Sequence, residues 1–454
     1  MDANVPILVM LLCHLPKIAV DYVDVGSLRP YDRNARTHSK KQIRQIADSI
    51  ARFGFTNPIL VSDDRLVLAG HGRLEAAKLL GLPTVPTVRL SHLGEAERRA
   101  YVLADNKLAL NAGWDNEILA IELQGLIDLD FDPVVTGFAL AEIDTVLDLA
   151  AESAPEGPSG PEDEIPETKD VAVSRQGDVW LLGRHRMICG DARSAADYAK
   201  LLAGEAVDLI FTDPPYNVPI DGHVCGLGRV RHREFAMGAG EMTQSEFTHF
   251  LGTTLSLAAA RCRSGAIAFV CMDWRHAGEL LAAGASAFTE LKNLCVWNKT
   301  NGGMGTFYRS KHELVFVFKI GDAPHTNTFG LGETGRYRTN VWDYPGISSM
   351  SRERASELAL HPTVKPTALV ADAIRDCSKR GNIVLDPFAG SGTTLIAAEK
   401  CGRSARLIEY DPAYCDTIIR RFERVTGKRA TLSETGEVFE DVASVREPMQ
   451  LVSD

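Results

Sequence analysis

The chain has 454 residues, 45% of them hydrophobic and 24% charged, with a formal net charge of −11. That length allows two to three domains with packed cores. The acidic balance excludes a protein coated in positive charge but leaves room for a local basic face.

Nine cysteines, at 13, 189, 225, 262, 271, 295, 377, 401 and 415, include no C-x-x-C pair. This argues for free thiols rather than a disulfide framework. His223, Cys225 and His232 match no common zinc-ligand spacing, so no metal is expected. The apolar run Pro6–Leu15 is too short to span a bilayer and has no basic residues ahead of it. A cytoplasmic protein is expected.

Lys17–Val25 alternates in the manner of a strand. Ser39 is placed as the N-cap of a helix to Phe53, with Ile43, Ile46, Ala47 and Ile50 on one face and Gly54 at its end. Pro58–Val61 and Leu66–Ala69 read as short strands. Gly70-His71-Gly72-Arg73 then turns into a helix. Free N–H groups at such a start attract anions and Arg73 adds a forked donor for phosphate, although a ligand-free turn has the same pattern. Helical patterns follow over 114–127 and 139–150. Residues 151–170 hold four prolines, seven acidic residues and one lysine, a composition that reads as an extended linker.

The second half opens with strands at Val179–Leu182 and Arg186–Cys189 and a helix from Ser194. The apolar run Val207–Phe211 then leads into Thr212-Asp213-Pro214-Pro215-Tyr216-Asn217, a buried strand opening into a rigid loop at the edge where α/β sheets do their chemistry. Two prolines fix two φ angles and leave carbonyls as acceptors. Asp213 adds a carboxylate and Tyr216 a flat face. Together they suit a planar group carrying an NH₂, and a plain strand with a proline-rich turn is the alternative.

The loop 217–241 carries Arg229, Arg231 and Arg233 and suits a substrate with phosphates. Helices and strands follow over 243–261, 266–270 and 294–297, then Lys299, and a strand over His312–Lys319. Residues 321–360 interleave Arg336, Tyr337, Arg338, Trp342, Tyr344, Arg352 and Arg354, which suits contact with phosphates and bases or an ordinary solvated loop.

Strand Ile383–Leu385 ends in Asp386-Pro387-Phe388-Ala389-Gly390-Ser391-Gly392-Thr393-Thr394, and a helix follows. The next strand ends in Glu409, about 20 residues on, where dinucleotide-type folds grip ribose hydroxyls. The lysine of a phosphate-binding loop is missing, so a nucleoside with little phosphate, such as S-adenosylmethionine, fits. A helix to about Val425 and a polar tail complete the chain.

Two resemblances follow from these motifs. Residues 17–110, with Leu28-Arg29-Pro30-Tyr31-Asp32-Arg33-Asn34-Ala35-Arg36, Gly70-His71-Gly72-Arg73 and Leu103-Ala104-Asp105-Asn106-Lys107, resemble the ParB-like nuclease domain, whose G-x-x-R turn binds nucleotide phosphates. The related sulfiredoxins carry a catalytic Cys in the corresponding loop. None stands here, so reductase chemistry is not expected, and nucleotide or DNA-backbone binding is.

Residues 178–425 resemble the amino-methylating DNA methyltransferases, which modify adenine N6 or cytosine N4. With Asp213-Pro214-Pro215-Tyr216 ahead of Phe388-Ala389-Gly390-Ser391-Gly392, the order looks like the β class. The resemblance implies an α/β fold with a Rossmann-like methyltransferase sheet and a smaller N-terminal ParB/sulfiredoxin-like domain. It also implies the cofactor S-adenosylmethionine, with Asp191 at its adenine, Glu409 at its ribose, and Asp386, Thr363 and Lys365 at its methionine end. Pro387, Phe388, Gly390, Ser391, Gly392 and Thr393 form the cofactor loop.

Double-stranded DNA is the expected partner, contacted by Arg229, Arg231, Arg233, Lys299, Arg336 and Arg338, in a nucleoid-associated or restriction-modification setting. A homodimer stays open. The expected domains are 17–150 (ParB-like), 151–170 (linker), 171–427 (methyltransferase, with 301–360 for target recognition) and 428–454 (tail). D-P-P-Y favours adenine N6. Cytosine N4, an RNA or protein amide acceptor, and an inactive DNA-binding adaptor are the alternatives.

Overall fold

A computed structural model describes residues 19–129, 131–139, 142–147, 163–166, 168, 171–218, 240–299, 308–329, 338–345 and 365–446. The chain divides into two compact units, Met1–Ala151 and Glu152–Asp454.

In the first unit, strands β1 (Val20–Asp24), β2 (Ile59–Val61), β3 (Val67–Ala69) and β4 (Thr84–Arg89) form a sheet in the order β1-β4-β2-β3. The helix Lys40–Phe53 begins where the sequence expects it. Ser39 accepts from the Gln42 N–H, and Gly54 closes the last turn by donating to the Ile50 carbonyl. Ile59, Val67, Leu74, Ala77 and Val85 pack as one core beneath the sheet. Gly70 sits at φ +98° as the N-cap of the helix His71–Leu79. An added Cβ there would lie 3.0 Å from the Arg73 guanidinium, so the turn needs glycine on both counts. Helices Glu95–Ala109 and Asn116–Asp128 follow.

The second unit is built on a ten-stranded sheet. Its strands are β5 (Val179–Leu182), β6 (His185–Cys189), β7 (Val207–Thr212), β8 (Cys262–Met272), β9 (Glu290–Asn298), β10 (His312–Lys319), β11 (Val341–Asp343), β12 (Ile383–Asp386), β13 (Ser404–Glu409) and β14 (Ala430–Leu432). The order is β11-β9-β10-β8-β7-β12-β13-β6-β5-β14. The five central strands, β8-β7-β12-β13-β6, are mutually parallel. Their near-continuous apolar runs are buried by helices on both faces, as parallel sheets require. After β7 the chain moves to β8 on one side, whereas β12 lies on the other. The β7/β12 border is therefore a topological switch point, and the loops leaving their carboxyl ends open into one crevice. This is the α/β, Rossmann-like architecture the sequence implies.

Three segments differ from expectation. The polar stretch expected as a tail over 428–454 is ordered over 430–446. There β14 pairs with β5, and the helix Phe439–Arg446 seats Phe439 against Trp180 at 5.4 Å and Arg446 against Asp178. The strand pairing, one buried aromatic and one ion pair order a segment whose mean composition is polar. The span 301–360 is not one recognition insert either, because β10 is a central strand, paired on both sides with β8 and β9, and β11 closes the sheet edge. At the end of the acidic stretch, Asp163 accepts from the Thr367 N–H at 3.1 Å and the Glu164 carbonyl accepts from Arg424.

Candidate active site

Four carboxylates leave the carboxyl ends of adjacent parallel strands: Asp213 after β7, Asp386 at the end of β12, Glu409 at the end of β13 and Asp191 after β6. The two motifs far apart in sequence meet at the switch point, where the Thr212 hydroxyl donates to Asp386 Oδ1 at 2.9 Å.

On the β12 side, Asp386 is buried and fully engaged. Oδ1 also accepts from the Phe388 N–H at 3.0 Å, and Oδ2 accepts from the Thr394 hydroxyl at 2.6 Å. Burial pushes its carboxyl up to about 6 against these donors. It therefore shapes the loop from beneath, and Pro387 is buried with it. Phe388 packs on Phe250 with ring centroids 5.8 Å apart. Gly392, at φ +83°, caps the helix Thr393–Lys400, and a Cβ there would meet Ile418 at 3.1 Å. Buried Arg421 donates to the Ser391 carbonyl at 2.9 Å and to the Thr393 hydroxyl at 3.2 Å, pinning the glycine loop from behind.

Glu409 accepts from the Gly390 N–H at 2.8 Å and from the Asp411 N–H at 2.9 Å. Each oxygen keeps a second lone pair, which is what a vicinal diol needs. Burial raises this carboxyl to about 7 against those two donors. Asp191 is held by Arg193, with Nη2 2.7 Å from Oδ2.

On the β7 side, the Tyr216 hydroxyl donates to Asp213 Oδ1 at 2.6 Å. Lys365, only 5% exposed, places Nζ 2.5 Å from Asp213 Oδ2 and 3.0 Å from Glu313 Oε2. Lys299 pairs with the other oxygen of Glu313. Both ammoniums also face the ring of Trp297, at 4.5 Å for Lys299 and 6.0 Å for Lys365. Burial raises Asp213 above the usual carboxylate range despite Lys365. Burial would raise Glu313 too, but its two lysines hold it down at about 2. Asn217, at φ +54°, exchanges two hydrogen bonds with the backbone of Met242 and so joins the two sides of the intervening loop.

Two expectations are corrected here. Lys365, assigned to the cofactor side, is bonded to Asp213 of the D-P-P-Y loop. Arg338, assigned to DNA, is an internal tie: Asp372 and Asp376, one turn apart on the helix Thr367–Cys377, reach it at 3.2 and 2.9 Å. Lys299 is likewise committed to Glu313. Arg229, Arg231, Arg233, Arg336 and Thr363 lie outside the described residues. Glu313 and Arg421 were not anticipated, since neither belongs to a local motif. Among the described residues, those exposed at this edge include Trp274 and Arg275, after β8, and Tyr308, Arg309 and Lys311, before β10. Because β10 runs antiparallel to β8, with Leu314 opposite Met272, both sets reach the same end of the sheet.

In the first unit the quoted motifs also converge. His71 Nε2 accepts from the Tyr31 N–H at 3.2 Å, and Arg36 donates to the Asn106 carbonyl at 3.4 Å. Arg73 is half-buried, with Asp105 and Tyr101 as its electrostatic neighbours. Burial, with His38 adding to it, holds His71 below the usual imidazole range, which fits a neutral acceptor bracing the turn.

Comparison with known proteins gives three family matches: a DNA methylase model of the N6/N4 type over 207–420, the ParB N-terminal domain over 14–107, and the ParB-methyltransferase HTH domain over 117–176. The last was not anticipated, and it runs across the acidic stretch. Two short helical patterns separated by a glycine-bearing turn were its available signal. The chain is 41% identical over 83 residues to the ParB-like nuclease domain-containing protein YnaK of Escherichia coli (strain K12), covering 18% of this chain and 95% of that protein. It is 37% identical over 89 residues to the type II methyltransferase M.ScaI of Streptomyces caespitosus, covering 20% of this chain and 29% of that enzyme. Among solved structures, the M1.HpyAVI-SAM complex aligns at 20% identity and TM-score 0.39, over 52% of this chain and 97% of that one. Through its N-terminal region the chain belongs to the ParB-like nuclease domain proteins, and behind that domain it carries a region that matches the N6/N4 DNA methylase model.

Proposed function

We propose that this chain transfers a methyl group from S-adenosylmethionine to the exocyclic amine of a base in double-stranded DNA, with adenine N6 as the acceptor. One observation carries the reading: the Asp213-Pro214-Pro215-Tyr216 acceptor loop and the Asp386–Gly392 loop leave neighbouring parallel strands, joined by the Thr212–Asp386 hydrogen bond. The open lone pairs of Glu409 and the Cβ-free cradle at Gly390–Gly392 fit the nucleoside half of the cofactor. Bound there, S-adenosylmethionine supplies a methyl group on a positively charged sulfur.

The target amine lies inside the duplex, so the base must swing out, at a cost of a few kcal/mol. Tyr216 offers its ring to that base. Asp213 and the Pro214 carbonyl accept from the amine N–H groups and turn its lone pair toward the methyl, so positioning and fixed charge supply most of the catalysis. A protein nucleophile is not needed.

Asp213→Ala is expected to lower methyl transfer about 100-fold or more while leaving cofactor affinity within a few-fold. Unchanged turnover in a labelled-methyl assay would overturn the assignment. Kinetic sequencing of DNA from a methylation-free host expressing the protein reads the modified base, and N4-methylcytosine there would replace adenine as the acceptor. For the first unit we infer nucleotide or DNA-backbone binding through Gly70, His71, Gly72 and Arg73.

A further inference from the structure

The acceptor carboxylate does not stand alone. Lys365 sits between two carboxylates, 2.5 Å from Asp213 Oδ2 and 3.0 Å from Glu313 Oε2, with its Nζ also 3.3 Å from the Tyr216 hydroxyl. Lys299 holds the far oxygen of Glu313. Two carboxylates and two ammoniums thus alternate in a chain that ends on Asp213, and Lys365 is almost wholly buried. Among the described residues, the other titratable groups facing this cluster are the Tyr216 hydroxyl, Cys271 on β8 and Asp386 on β12. These side chains come from six segments: Asp213 and Tyr216 from the loop after β7, Cys271 from β8, Lys299 from just after β9, Glu313 from β10, Asp386 from the end of β12, and Lys365 from two residues before the helix Thr367–Cys377.

We propose that Lys365 and Glu313 are positioning residues for methyl transfer: Glu313 divides the charge of Lys365, and that division fixes both the orientation and the ionisation of Asp213. This rests on the reading of Asp213 as the acceptor of the target amine. Each Asp213 oxygen already has one donor, Tyr216 on Oδ1 and Lys365 on Oδ2. The carboxylate plane is thereby locked, and each oxygen keeps a lone pair for the incoming N–H. A protonated Asp213 would present a donor where the amine also donates. At saturating S-adenosylmethionine, where Glu409 is already ionised, ionisation of Asp213 therefore sets the acidic limb of the rate profile.

The arrangement predicts shifts of opposite sign. Removing the ammonium with Lys365→Met leaves Asp213 buried beside an anion that Lys299 keeps charged. The acidic limb of kcat/KM should then move to higher pH, by about one unit or more. Removing the competing anion with Glu313→Gln leaves Lys365 to Asp213 alone, and the limb should move to lower pH. Lys365→Arg and Glu313→Asp keep the charges and should restore a limb close to that of the unmodified protein.

The measurement is the pH dependence of kcat/KM for a duplex substrate with the full-length protein, with cofactor affinity of each variant taken by calorimetry. Opposite shifts with cofactor affinity retained support the proposal. Shifts of the same sign, or activity lost without movement of the limb, overturn it, as does failure of the charge-keeping variants to restore the profile. If the methionine or glutamine variant does not fold, the arginine and aspartate variants decide alone: both must keep the limb, and its displacement in either overturns the proposal. A failure of the functional reading itself is seen separately, as activity in Asp213→Ala or none in the unmodified chain.

Discussion

At the scale of single residues, Glu409 connects burial to ligand binding most directly. Its carboxyl is raised to about 7 by desolvation, against the opposing N–H bonds from Asp411 and Gly390. In the proposed cofactor site the ionised form would accept from two ribose hydroxyls, so binding is expected to favour proton release. Cofactor affinity should rise up to about tenfold per pH unit below 7 and level off above it. Calorimetry from pH 5.5 to 8.5 in buffers of different ionisation enthalpy reads both the slope and the released proton. Glu409→Gln should bind more weakly with no such slope, and a flat profile for the unmodified protein would mean that the carboxylate does not titrate on binding. In the cofactor-free protein the sign for folding is opposite: a carboxyl raised from 4.5 contributes stability below 4.5 that is lost as pH rises through 7. The individual site residues were unequally legible. Asp213-Pro214-Pro215-Tyr216, the glycine loop and Glu409 announce themselves because each chemistry lies within a few consecutive residues at a strand end. Glu313 and Arg421 do not, because their partners lie far off in sequence, and only the sheet order brings Glu313 to Tyr216 across a separation of 97 residues.

At the scale of elements, the strands and helices with strong apolar periodicity or a clear cap were readable, as Ser39, Gly54 and the β12 loop show. The segment after residue 427 was not, because its few apolar side chains are diluted by polar ones. Its order comes from tertiary anchors: β14 pairs with β5, Phe439 meets fully buried Trp180 edge-on, and Arg446 reaches Asp178 and the Val173 carbonyl, the latter at 3.0 Å. Here tertiary contacts outweigh local composition. Phe439→Ala should therefore destabilise the methylase unit by about 3 kcal/mol, the usual cost of emptying an aromatic site. Urea unfolding followed by tryptophan fluorescence would measure this. A change under about 0.5 kcal/mol would mean that the terminal helix contributes little to the edge of the sheet. The same element logic explains why 301–360 could not be one insert. A run of Val and Phe over His312–Lys319 is a core strand wherever it occurs, and the surrounding basic residues do not alter that.

At the scale of the whole molecule, the question is how a ParB N-terminal domain serves a chain that also carries an N6/N4 DNA methylase region. The first unit holds its own core, and within it the Gly70–Arg73 turn is held by the Tyr31 N–H on His71 and by Asp105 and Tyr101 beside Arg73. Arg73 is half-buried, and burial lowers its basicity while Asp105 opposes that effect. It therefore remains a cation beside the open N–H groups of the helix His71–Leu79, which is the arrangement that binds phosphate. Because the proposed cofactor and acceptor loops both belong to the second unit, Arg73→Ala should leave methyl transfer to a short duplex within about twofold, while lowering affinity for nucleotide or DNA by about tenfold, the loss expected for one charge-assisted contact. Titrating the full-length protein with each of the four ribonucleoside triphosphates, and separately with a non-cognate duplex at two salt concentrations, distinguishes the two ligands, because only duplex binding should weaken steeply with salt. If Arg73→Ala changes neither, the turn is structural. If it slows methyl transfer on the short duplex as well, the two units act through one another rather than side by side.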